Sequence, residues 1–309
     1  MGRGIVVALL LAVALTGCGD AGGGPAVDAT PAVPAASPTA MLPADGPVRA
    51  VATVLDDGGG PELCLGAIAL SLPPQCSGPP VVGWDWAEHA DAESAGGVQW
   101  GGYTMVGAWD GTAFTPTDVR PTTPGDLPEP EDPASLFATR CDEPAGGWVQ
   151  VDPSRTSRDD LSAAHRAAEA LPDHALSWGD QSINPRWADW QELVEGGGSS
   201  LEVEQAMNDP RWTILNVAVT EDVARAVAAV REVWGGPLCV TTFANTSREL
   251  REVAEDLAEL PGGLDRAWGS ISNTVEVTVV YDDGSIQAWA DEEHGAGVVT
   301  VTSALQPIG

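Results

Sequence analysis

The chain's hydrophobic and polar positions predict two kinds of structure in succession. Val48 to Val54, VRAVATV, alternates like a half-buried strand, and Asp57-Gly58-Gly59-Gly60 breaks it. Residues 98–100 and 103–109 predict further strands. Asp110-Gly111 is a hairpin turn signal, and Ala113-Phe114-Thr115 returns from it. Short strands between glycine turns predict a small all-β domain over 48–119, barrel-like and of OB type. From Pro116 to Pro133 the chain is proline-rich and acidic and continues neither sheet nor helix, so a linker is placed at 120–136.

Beyond it the period becomes helical. Ser157 is a cap, and Leu161, Ala164, Ala168 and Leu171 share a face up to Pro172. A short helix is expected to carry Trp187, Trp190 and Val194. Trp212 to Val219 reads as a buried strand. Thr220 then caps a helix with a stripe of Val223, Val227, Val230 and Trp234, ended by Gly235. Leu238 to Phe243 is a strand. Thr246-Ser247-Arg248-Glu249 is a capping box before Leu250, Val253, Leu257 and Leu260. Val275 to Tyr281 and Val298 to Thr302 are strands. The stretch 285–294 reads as helix or as the return of a hairpin, with Gly295 well placed to end a helix. Strand, helix, strand, helix, strand predicts an α/β sandwich over 137–309, partly parallel, and an α+β chain as a whole.

The first residues carry a different signal. Arg3 precedes an apolar run, Ile5 to Leu15, too short to stay in a bilayer as a span. The run ends in Leu15-Thr16-Gly17-Cys18, which resembles the lipobox of bacterial lipoproteins. The resemblance implies a signal peptide over 1–17, cleavage after Gly17 and a diacylglycerol on the Cys18 sulfur. It also implies a protein held by palmitate-like chains on the extracytoplasmic face of the cell membrane. Each buried methylene contributes about 0.8 kcal/mol, so two or more chains anchor stably. Residues 18–47, rich in Gly, Ala and Pro, read as a disordered tether with ends on the order of 30 Å apart.

Composition narrows the function classes. The chain has 309 residues and a formal charge of −31, with 43% hydrophobic residues, enough for a core. Such a field repels phosphate backbones, so no nucleic-acid partner is expected; a cationic ligand or basic partner is favoured. All 14 basic residues are Arg. Without lysine there is no Walker-A, Schiff-base or Ser-x-x-Lys chemistry.

Cys64, Cys76, Cys141 and Cys239 remain after lipidation, an even number that fits two disulfides in an oxidising compartment. Three pairings exist; Cys64–Cys76 with Cys141–Cys239 keeps each bridge inside one expected domain. A zinc site is disfavoured by the lack of Cys-x-x-Cys spacing. Cys64-Leu65-Gly66, Pro73-Pro74-Gln75-Cys76, Trp84-Asp85-Trp86 and 234–239 (WGGPLC) are similar to segments of an uncharacterised family of exported actinobacterial proteins. That resemblance supports the architecture and carries no activity.

Trp84, Asp85 and Trp86 are the candidate ligand-binding residues. In a strand the indoles would share a face, able to stack on a sugar or a cation, or to fill the core. His89, His165, His174 and His294 form no metal-binding spacing, and the Asp-Gly pairs suit turns better than calcium. No catalytic or metal-ligating residue and no cofactor is assigned. The expected function is a non-catalytic binding or scaffold lipoprotein, with an envelope protein or glycan as partner. The competing class is a carboxylate-dependent hydrolase, for example on glycan.

Overall fold

The first sheet grows from one long hairpin. In the computed structural model, which describes residues 37–129, 133–187, 196 and 200–308, β4 (Val98–Trp109) pairs antiparallel with β1 (Val48–Asp56) and with β5 (Phe114–Pro121). Leu15, Thr16, Gly17, Cys18, Trp190 and Val194 lie outside the described residues. β2 (Glu62–Cys64) and β12 (Gln306–Pro307) share the free edge of β1, and β3 (Glu93–Ala95) sits beside β4. β5 runs through Pro116, where the proline-rich stretch starts, to Pro121, two residues into the expected linker. As an edge strand it tolerates proline, and the register shifts at Gly107, opposite Pro116. A Cβ on Gly107 would lie 2.3 Å from the Thr115 carbonyl oxygen, so the close approach there needs glycine.

Residues 79–82 connect the two edges. Leu63 N–H donates to the Pro79 carbonyl, and Val82 N–H to that of Phe114. These contacts are isolated bridges; among the described residues the strands themselves do not close into a barrel.

The remaining sheets each contain a βαβ unit. In the second, β6 (His174–Asp180) is antiparallel to β7 (Ile214–Val219), and β7 is parallel to β8 (Leu238–Thr242). The crossover is α4 (Val223–Arg231), which follows α1 (Pro133–Leu136), α2 (Arg158–Glu169) and α3 (Ser200–Met207). In the third, β9 (Gly263–Ala267) is antiparallel to β10 (Val275–Val279), and β10 is parallel to β11 (Val299–Ser303) through α6 (Ser285–His294). Helix is thus the outcome at 285–294. The chain is α+β.

Helix starts follow from caps. Ser157 and Thr246 each accept the N3 amide while Asp160 and Glu249 reach back, so α2 and α5 (Ser247–Asp256) open with full capping boxes. In α4 the cap is Asp222 rather than the expected Thr220, because its carboxylate takes the Arg225 amide. Ala226 and Val230 face the core, while Val227, expected in the apolar stripe, is 37% exposed. Trp212, expected in the strand, lies in a 3-10 turn and is 38% exposed.

The cores join these layers. Leu215, Val217 and Val219 pack under α2 and α4. Leu250, Ala254 and Leu257 meet β10 and α6. Val280, Tyr281 and Leu305, at the end of the third sheet, enter the core of the first with Tyr103, Met105 and Trp109. Met41, Leu42 and Ala44, placed by sequence in the tether, pack there too, and Trp109 Nε1 donates to the Leu42 carbonyl at 2.7 Å.

Two disulfides are present, Cys64–Cys76 across 12 residues and Cys141–Cys239 across 98. Loop closure in the unfolded chain assigns them about 3 and about 4.7 kcal/mol. Urea denaturation of the two Cys→Ser double variants should therefore rank Cys141→Ser/Cys239→Ser as the less stable, by about 1.7 kcal/mol; the reverse order would show that strain or residual structure outweighs chain entropy.

Candidate functional site

Trp84 and Trp86 do come together, but not on a strand. Gly83 has a φ of +79°, and Asp85 accepts the Ala87 amide at 2.9 Å, so residues 86–88 coil into a 3-10 turn capped by Asp85. The indole centroids lie 5.4 Å apart, edge to face. Trp84 stacks on His89 at 4.0 Å with 19° between planes, and meets Tyr103 edge-on at 5.0 Å. Trp86 Nε1 donates to Asp56 Oδ2 at 3.3 Å. The Gly58 and Gly60 amides and the Trp86 N–H hold the Asp56 carboxyl below its ordinary range, against the opposing effect of burial.

Trp84 and His89 of this cluster line a cleft of about 400 Å³. Asp85, Glu88 and Asp91 line one side, and β5, from Pro116 to Pro121 with Asp118, forms the other. All four acidic residues are exposed. Arg120 is the one basic residue lining the cleft, and its charge is engaged: the guanidinium pairs with Asp126, Nη1 to Oδ2 at 2.7 Å. That pairing and the Thr123 hydroxyl and amide pull the Asp126 pKa far down.

Two polar atoms at the base of the cluster are buried: Trp84 Nε1, which makes no hydrogen bond among the described residues, and the Tyr103 hydroxyl, which lies beside the Asp91 carboxylate. Burial, and then the nearby Asp91 carboxylate, push the Tyr103 pKa up to about 12.

No known family model and no curated protein sequence matches this chain. The site is therefore read from its own chemistry.

The sequence singled out Trp84, Asp85 and Trp86. It did not bring in Tyr103, Asp91 or Asp118, and it treated His89 only as one of four scattered histidines. The available signal was WDWAEHAD, two indoles, an imidazole and three carboxylates in eight positions. Asp118 could not be placed without the β4–β5 register.

The other candidates serve structure. Asp110 accepts the Thr112 and Ala113 amides, and Asp282 and Asp283 take those of Ile286 and Ser285 at the start of α6. Among the described residues no group of three His, Cys, Asp or Glu side chains is arranged to hold a metal ion.

His165 and His174 lie between α2 and β6. His165 Nδ1 is 2.9 Å from Ser177 Oγ, and Glu169 faces both rings; Asp173 also acts on His174. Burial, the larger effect, holds both imidazoles below their ordinary 6.5. The unfolded chain then binds protons that the folded chain refuses. Stability is complete above the unfolded value and is lost as pH falls through the lowered folded values. Thermal midpoints should drop between about pH 7 and pH 5, above the range where carboxylates titrate. His165→Gln should flatten that slope; a profile level to pH 5 would refute the coupling.

Proposed function

We propose that this chain is a non-catalytic binding module, lipidated at Cys18 and held on the extracytoplasmic face of the cell membrane. Its acidic aromatic cleft receives a cationic group, an ammonium or guanidinium, of an envelope partner. The observation that carries the binding reading is the arrangement around Trp84. Aromatic rings stack there, four exposed carboxylates line the cleft, and its one guanidinium, Arg120, is held by Asp126. A cation placed there gains both the aromatic quadrupole and the local field. Carboxylates open to solvent suit binding; an acid–base pair for hydrolysis needs one member shielded enough to stay protonated.

The lipobox-like Leu15-Thr16-Gly17-Cys18 supports the anchor, and the two disulfides support an oxidising compartment. On this reading the first sheet, with its edges linked through 79–82, is a barrel-like unit of OB type. The other two sheets and their helices make an α/β sandwich. The leash on this reading is the Gly-, Ala- and Pro-rich stretch after Cys18, ending before Met41, which belongs to the first core.

Two experiments test the parts separately. Cys18→Ala should move the protein from the membrane to the soluble fraction and abolish labelling by an alkyne-palmitate analogue. Unchanged fractionation would refute the anchor. Titration of the full-length protein in detergent with a hexa-arginine peptide should quench Trp fluorescence saturably. Affinity should weaken with salt, and Asp85→Asn/Asp91→Asn/Asp118→Asn should lower it by about tenfold or more. Glu252→Gln/Glu255→Gln/Glu259→Gln, on α5 and the 3-10 turn that follows it, should leave it nearly unchanged. Equal losses from both triple variants would mean that only net charge is being read.

A further inference from the structure

The larger concavity of the molecule lies elsewhere, between the edge of β6 and the loop that joins β9 to β10. It encloses about 800 Å³, within the range of sites for small organic ligands. We infer that it is a second binding site, for a short neutral oligosaccharide. This goes beyond the cation-binding cleft and does not depend on it.

Both walls are built. On one side the segment after α1 is fixed three times to the second sheet. Trp178 Nε1 donates to the Phe137 carbonyl at 3.1 Å, and the Thr139 amide to Asp180 Oδ2 at 2.7 Å. Thr139 Oγ1 donates to Asn216 Oδ1 at 2.5 Å, and the Cys141–Cys239 disulfide closes the segment two residues later. On the other side Asn273 adopts a left-handed φ of +56° and is locked to Asn245. Its Oδ1 accepts the Asn245 amide at 2.8 Å, its Nδ2 donates to the Asn245 carbonyl at 2.8 Å, and its carbonyl accepts Asn245 Nδ2 at 3.0 Å. A non-glycine residue in that conformation is strained on its own, and these three bonds hold it. Arg140 spans the walls, donating to the Ile271 carbonyl at 3.4 Å while its guanidinium lies 5.5 Å from the Phe243 ring.

The lining carries two kinds of group. Trp268 and Phe137 are 45% and 52% exposed, large aromatic surfaces left open to solvent beside Trp178. Ser270 and Ser272 form a hydroxyl pair on Glu276 Oε1, with Ser272 at 2.8 Å and Ser270 at 3.3 Å, and Ser272 also meets Thr274 Oγ1 at 3.0 Å. Aromatic faces opposite an ordered row of hydroxyls and a carboxylate match a sugar ring. Its C–H face is apolar, and its rim of hydroxyls both donates and accepts.

Charge selects the neutral class. The cleft is lined by one guanidinium, Arg140, and one carboxylate, Glu276, inside a body of charge −31. An anionic ligand meets the repulsion of the whole body. A cation finds in Glu276 an oxygen already accepting from two serines. An extended peptide added to the β6 edge would use main-chain groups, whereas the polar groups gathered here are side chains on the opposite wall.

The test is calorimetry of full-length protein in a detergent without sugar headgroups. The probes are cellotriose, maltotriose and chitotriose, with trigalacturonate and the chitosan trimer as charged comparators. At least one neutral trisaccharide should bind saturably and exceed both comparators. Trp268→Ala should weaken it by about tenfold or more with an unchanged thermal midpoint, since that ring is exposed. Phe137→Ala and Ser272→Ala should each weaken it several-fold, and they decide the matter if Trp268→Ala misfolds. Asp91→Asn, in the acidic cleft, should leave sugar binding unchanged, so failure of one site is separable from failure of the other. Absence of binding up to about 10 mM, binding that survives all three cleft variants, or comparators bound as tightly as the neutral sugars would each overturn the proposal. So would an extended peptide that occupies the cleft where no neutral sugar does.

Discussion

A strand buried on both faces has to be covered twice, and β7 imposes that demand here. All six of its residues, Ile214 to Val219, are buried. One face is apolar and is met by α2 and α4. The other face contains Asn216, fully buried, whose side chain must find partners inside the protein. An amide left unpaired there would cost about 1–3 kcal/mol. Asn216 Nδ2 donates to the Ile214 carbonyl at 3.1 Å, and Oδ1 accepts from Thr139. Thr139 therefore draws the chain after α1 across the sheet, and with it Phe137, Arg140 and Cys141. The wall of the larger cleft follows from satisfying one polar group in the core.

Local signals in the sequence reached the right elements where the physics was local. The caps at Ser157 and Thr246 and the run from Leu250 to Leu257 depend on neighbours within two turns, and α2 and α5 form as expected. β6 and β9 were not foreseen. HALSWGD and GLDRA have no clean period, because each is an edge strand defined by the neighbour it pairs with. The indole pair was visible as composition, but its geometry was not: the strand argument fails once Asp85 caps a turn. Asp118 and Tyr103 join Trp84 only through the β4–β5 register and the packing of the first core. Val280 and Leu305 entering that same core, more than 160 residues along the chain from Phe114, left no trace in the local pattern.

The acidity has a finer structure than a net charge of −31 suggests. Many carboxylates do local work on main-chain amides: Asp56 in a glycine turn, Asp85, Asp152, Asp209 and Asp222 at helix or 3-10 starts, Asp110 in the hairpin. Several arginines are held by such acids. Arg49 and Arg120 share Asp126, Arg155 pairs with Asp152, Arg211 with Asp209 and Arg225 with Asp173. The positive charge is thus compensated close to where it arises, and the uncompensated remainder is negative. A cleft edged by Asp85, Glu88, Asp91 and Asp118 expresses that remainder where aromatic rings lie beneath it.

The two clefts, one acidic and one balanced in charge, share the same mechanical solution. In neither does a lid have to close, because the walls are fixed by bonds from buried or half-buried side chains: Trp86 to Asp56 in one, Thr139 to Asn216 and Asn273 to Asn245 in the other. Ordering those loops is a cost already met on folding, so a ligand does not meet it again on binding. What differs is range. Attraction to the acidic cleft extends over a Debye length of about 10 Å and fades with salt, so it favours capture. Recognition across Trp268 and the serine pair acts only at contact and is nearly indifferent to salt, so it favours discrimination. On the proposed reading the two ranges complement each other: a charged partner is held by long-range attraction, while a neutral one is read by shape.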